Sequence, residues 1–130
     1  SVTGSINTSP SSTISGTLKA YRDFLTTTTS SGATTVDLST SNWFKYTLSA
    51  NSTYTFSNAP ASGNAFTVTL VLVQGSGGGK TVSFGNTIYW AGGQVPPISN
   101  TAAGNTDIWT FFTFDGGSTY IGTLAVKDAR

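Results

Sequence analysis

The chain has 130 residues, a formal net charge of +1 and 8% charged side chains, against about 25% in ordinary soluble domains. It contains no His, Cys, Glu or Met, which removes Ser–His and Cys nucleophiles, disulfides and the usual zinc ligand sets. So small a charge gives no electrostatic reason for a nucleic-acid or anionic-membrane partner.

The length suits one domain with a core of useful size. Residues 1–16, SVTGSINTSPSSTISG, form a low-complexity stretch that reads as a linker or as an arm ordered against a neighbour. Thr17 to Leu25 fits a short helix or a strand, and Thr26 to Ser31 a polar loop or an edge strand. Thr34 to Leu38 reads as a strand. Asn42 to Leu48 and Thr53 to Phe56 read as two more, joined by a turn at Ser49-Ala50-Asn51-Ser52. In Phe66 to Val73, the residues Phe66, Val68, Leu70 and Leu72 share one face. The opposite face turns apolar at Val71 and Val73, which predicts a central strand. Thr81 to Phe84 is a short strand. Asp107 to Phe114 and Thr119 to Val126 flank Asp115-Gly116-Gly117-Ser118, a strong hairpin signal. Seven or eight short strands with turns every 8–12 residues or so predict an all-β domain over residues 17–130, an antiparallel sandwich or jelly roll. The longest apolar run, Leu70 to Val73, is far too short to enter a bilayer as a span.

The stretch VLVQGSGGGKTVSF, residues 71–84, contains Gly79-Lys80-Thr81, the end of a phosphate-binding loop. Gln74 stands where the first glycine of that motif belongs, and the β-like Thr81-Val82-Ser83-Phe84 stands where a helix should begin. A glycine-rich turn is the expectation, with Lys80 in solvent and no nucleotide cofactor.

Five aspartates, Asp23, Asp37, Asp107, Asp115 and Asp128, are the only carboxylate side chains. Glycosidases use two carboxylates, but these positions read as turns, strand starts and the C-terminal end, where Asp bonds its own backbone. No loop clusters them as a calcium site would. No catalytic, cofactor or metal residues are therefore assigned. Asn7-Thr8-Ser9 and Asn51-Ser52-Thr53 match the glycosylation pattern, as chance allows in so Ser/Thr-rich a chain.

Aromatics supply the remaining candidates. Tyr89 and Trp90 precede Ala91-Gly92-Gly93-Gln94-Val95-Pro96-Pro97, so they read either as a glycan or partner contact or, for Trp90, as a cap on the core. Trp43, Trp109 and Tyr120 lie in alternating strands and read as core or subunit interface.

Three stretches together resemble the β-rich module of structural proteins in tailed bacteriophages. They are Thr35-Val36-Asp37-Leu38-Ser39 with Trp43-Phe44; Thr53 to Gly63 (TYTFSNAPASG); and Ile88 to Gly93 (IYWAGG) leading through Pro96-Pro97 to Asp107 to Gly117 (DIWTFFTFDGG). Lys19-Ala20-Tyr21 ahead of them fits as well. The resemblance implies a virion location and a homo-oligomer, with a trimer first. It implies other virion proteins as partners, such as the major capsid protein or a fibre shaft. A capsid decoration subunit and a tail-fibre or appendage tip, the latter reading host glycans or outer-membrane proteins, both fit. A monomeric carbohydrate-binding module is the alternative of a different class.

Overall fold

The computed structural model describes residues 16–17, 22–98 and 102–130. The arm expected over residues 1–16 (Gly16 apart), the Lys19-Ala20-Tyr21 motif, the Asn7 glycosylation match and residues 18–21 of the helix-or-strand segment from Thr17 lie outside them. The described chain is β throughout, apart from one 3-10 turn at Ala91–Gly93. Seven strands run in order: β1 (Leu25–Asp37), β2 (Trp43–Ser57), β3 (Phe66–Gln74), β4 (Val82–Phe84), β5 (Ile88–Trp90), β6 (Thr106–Thr113) and β7 (Tyr120–Ala129). They hydrogen-bond in the order β1-β2-β3-β6-β7-β5, with β4 on a second stretch of β2.

The all-β, sandwich-like architecture is the one expected, but its pairing is not purely antiparallel. β1 with β2, β2 with β3, β2 with β4 and β5 with β7 are all parallel; only β3 with β6 and β6 with β7 are antiparallel. The reason lies in the register. Leu25 sits beside Trp43, eighteen positions later. A straight β1 of 13 residues would span about 40 Å, and residues 38–42 can return at most roughly 20 Å. Parallel pairing in that register therefore requires β1 to fold back on itself. It does so where the register shifts between Ser30 and Gly32.

β2 does the same. Tyr46 and Tyr54 would lie about 26 Å apart in a straight strand, yet their ring centroids are 5.1 Å apart. The expected turn at residues 49–52 is thus a bend inside one continuous strand, not a hairpin between two. The first arm of β2 (43–48) pairs with β3 and the second (52–54) with β4. β1 to β4 wind as successive coils, and the two arms of each coil face one another as layers of a sandwich.

The core lies between those layers. It contains Val36, Leu38, Phe44, Tyr46, Leu48, Tyr54, Phe56, Leu70 and Leu72 from the coils, and Trp109, Phe111 and Tyr120 from the β6–β7 hairpin. At the first bend the interior is polar: the hydroxyls of Ser30 and Tyr54 share a 2.7 Å hydrogen bond, and Ser52 donates to Ser30. Burial pushes the Tyr54 phenol up to about 12, so it stays neutral and bonded at working pH.

The hairpin turn is organised by Asp115, as the Asp-Gly signal predicts. Its carboxylate accepts hydrogen bonds from the Thr113 hydroxyl and from the Thr119 hydroxyl and backbone N–H. These bonds, the Thr119 hydroxyl first, hold the carboxyl below its ordinary pKa. At the end of β1, Asp37 is likewise lowered, by the Ser39 hydroxyl first and then by Asn58. Lowered folded-state values stabilise the fold above the ordinary carboxylate range near ~4, and that contribution disappears as pH falls through the folded values. Asp115→Asn is therefore expected to lower Tm at pH 7 and to flatten the loss of Tm below pH ~4. Thermal melts from neutral to acid pH measure both; an unchanged acid slope would show that Asp115 is not one of the groups responsible.

Candidate interaction face

Tyr89 and Trp90 are neighbours on β5, so the pleat sends them to opposite faces. Trp90 turns inward. Its ring lies 5.8 Å from Phe84 and 5.6 Å from Trp109, both measured between centroids, at the end of the core. One edge of it still lines a shallow pocket of about 240 Å³ with Val82, Phe84, Asn86, Ile88 and Val95. Asn86 is committed there to structure: its side-chain amide bonds both the N–H and the C=O of Phe56, continuing the β4 ladder after β4 ends. Tyr89 turns outward and is 61% exposed.

Tyr89 does not stand alone. The ladder places it beside Ile121, Ile121 beside Phe112, and Phe112 beside Thr67, as one row across β5, β7, β6 and β3. Ile121 is 46% and Phe112 36% exposed. The next row on the same face is Thr123, Thr110, Thr69, Trp43 and Leu25. The third is Val126, Ile108, Val71, Lys45 and Thr27. Lys45 is the only charge in the three rows. Alternation produces this face directly: Trp109, Phe111 and Thr113 of β6 are buried, while Ile108, Thr110 and Phe112 between them look outward. Trp43 is fixed at its margin by donation of its indole N–H to Asp23, 2.9 Å.

The remaining candidates resolve as structure. The glycine corner after β3 has Gly77, Gly78 and Gly79 all at positive φ, a conformation that suits residues without a Cβ. The Gln74 side chain closes that corner by accepting from Lys80 N–H and donating to Lys80 C=O. Lys80 Nζ donates back to the Ser76 carbonyl, and the corner leads into strand β4. It offers no helix N-terminus to a phosphate. Asn51 of the second glycosylation match accepts from Thr81 N–H.

The carboxylates are likewise engaged. Asp23 and Asp115 are described above. Asp37, which ends β1 and does not start a strand, binds Ser39 and Asn58; Asp107 accepts from Asp128 N–H; and Asp128 pairs with Arg130 at 2.7 Å. Among the described residues no three His, Cys, Asp or Glu side chains group as metal ligands do.

The face as a whole carries no signal in any one stretch of sequence. Its residues come from positions as distant as Leu25 and Val126, and only the pairing brings them into rows. No protein-family model, no curated protein and no solved structure matches the chain.

Proposed function

We propose that the chain is a non-enzymatic structural module on the surface of a tailed-bacteriophage virion. It acts as a capsid decoration subunit or as part of a tail-fibre or appendage tip, and it associates with copies of itself, three being the first expectation. The observation that carries this reading is the outer face of the sheet, with its Tyr89–Ile121–Phe112 row and a single charge. Apolar, charge-poor faces on monomers mark interaction sites, because few charges must be desolvated when they are covered. The motifs TFSNAPASG and FFTFDGG support the virion placement. The engagement of the carboxylates in local hydrogen bonds supports a role without catalysis.

The test is sedimentation velocity at micromolar concentration, with labelling of the protein in intact particles to place it on head or tail. The wild-type chain is expected to be an oligomer. Half-buried on association, Phe112 and Ile121 contribute about 1–2 kcal/mol each, so Phe112→Asp with Ile121→Asp weakens assembly by at least about 30-fold. A wild-type monomer would overturn the self-association. The exposed Tyr89 ring favours one competing reading, a monomeric carbohydrate-binding module. A monomer whose glycan binding is lost on Tyr89→Ala would establish that reading instead.

A further inference from the structure

The outer face of the sheet is ordered about its middle row, which runs from Thr123 through Thr110 and Thr69 to Trp43 and Leu25. Each strand carries a matched residue one step to either side of that row. On β6 these are Phe112 and Ile108, on β7 Ile121 and Val126, and on β3 Thr67 and Val71. A half-turn about the middle row therefore lays a second copy with Phe112 over Ile108 and Ile121 over Val126. Each middle-row residue then meets its own counterpart. Apolar side chains face apolar ones, and threonine faces threonine. The strands of the two sheets run antiparallel, within the near-aligned range in which sheets pack face to face.

The same half-turn finds a partner for the one charge on the face. On β2 it brings Lys45 over Ser41 of the second copy. Leu25 pairs with Trp43, so one step ahead Asp23 stands beside Ser41, whose hydroxyl donates to the Phe24 carbonyl. Asp23 accepts the Trp43 indole N–H at 2.9 Å, and a carboxylate has capacity for further donors. One strand spacing, about 4.8 Å, is within reach of a lysine side chain. Within one chain, Lys45 and Asp23 are two rows, about 13 Å, apart. The one ion pair among the described residues is Arg130 with Asp128.

Size agrees. Six strands and three rows measure about 24 Å by about 20 Å. Covering that area on both copies buries roughly 1,000 Å², the lower bound for a specific interface.

We infer that this face pairs with the same face of a second copy across a two-fold axis along the Thr110 row, with Lys45 of each copy bonded to Asp23 of the other. The pairing rests on the reading of the face as self-associating and not on a count of three. A two-fold contact closes on two copies, and a larger assembly uses other surfaces as well.

Sedimentation of charge variants, alone and mixed, tests it. Lys45→Asp alone sets one carboxylate against another in both symmetric contacts and weakens association at least about tenfold. Asp23→Lys alone does the same with two cations. An equimolar mixture of the two variants restores both contacts and associates at least about tenfold more tightly than either alone. Asp23→Asn keeps an acceptor for the Trp43 indole and still weakens association, which separates the bond between copies from the bond within the chain. Thr110 lies on the axis and confronts itself. Thr110→Lys and Thr110→Asp therefore each weaken association, and their mixture recovers it. Recovery in both mixtures supports the pairing. Suppose the wild-type chain associates and Phe112→Asp with Ile121→Asp disrupts it. Failure of either mixture to recover then overturns the two-fold pairing and leaves the self-associating face standing. A wild-type monomer overturns both.

Discussion

Trp109→Ala is expected to cost about 3–5 kcal/mol of unfolding free energy, the largest loss from any single truncation in this chain. Trp109 is fully buried on β6. Its ring meets Phe84 at 5.2 Å edge-on, Trp90 at 5.6 Å edge-on and Phe111 at 6.3 Å in a stack. Alanine would remove the hub of that cluster, and the surrounding rings, held by three different strands, cannot all close on the void. Domains of this size have roughly 5–15 kcal/mol in total, so the variant keeps only part of its stability. Trp109→Phe separates packing from polarity. Trp109 Nε1 is buried and has no acceptor among the described residues, so phenylalanine loses ring volume but also removes a donor that costs about 1–3 kcal/mol to leave unbonded. The phenylalanine variant is expected to retain most of the stability that alanine loses. Urea unfolding of both, read at constant m, measures the difference. A cost below about 1 kcal/mol for alanine would show that the aromatic cluster does not hold the two layers together.

The second large effect comes from adding atoms. Gly122 on β7 is buried between Phe111 on one side and β5 on the other. A Cβ there would lie 2.7 Å from Trp90, 2.8 Å from Ile88 and 3.0 Å from Phe111. Its φ is not in the positive range, so the glycine is needed for space and not for backbone freedom. Gly122→Ala is expected to cost about 1–3 kcal/mol, and Gly122→Val more, by pushing β5 away from β7. Because Tyr89 rides on β5, the same variants should disturb the outer face. They should weaken self-association beyond what their stability loss explains, measured by sedimentation under conditions where each variant is fully folded. Unchanged stability in Gly122→Val would mean that β5 is not packed against β7 as described.

Alternation makes some elements readable in the sequence itself. β3 shows its inward set, Val68, Leu70 and Leu72, and its apolar outer set, and it is central. The β6–β7 hairpin and the structural use of Asp115 follow from Asp-Gly flanked by β-rich runs. Period-2 patterning tells which face a residue takes but not which strand it will lie beside, and that is why the parallel pairing stayed hidden. Ser49-Ala50-Asn51-Ser52 has the composition of a hairpin turn, and the chain does reverse there. Both arms then find parallel partners in other coils, so β2 remains one strand. β5 is only three residues long, too short for alternation to set it apart from the loop that follows. Parity could have separated its two aromatics, since Ile88 and Trp90 share the inner face and leave Tyr89 outside.

The coils hold their inward parity while the number of residues between ladder partners rises from eighteen at Leu25–Trp43 to thirty at Ser52–Val82. The extra length is taken up at the corners, where backbone runs outside the core. Such a framework separates what must be kept from what is free to vary. The rungs fix shape, while the corners can lengthen with little cost to it.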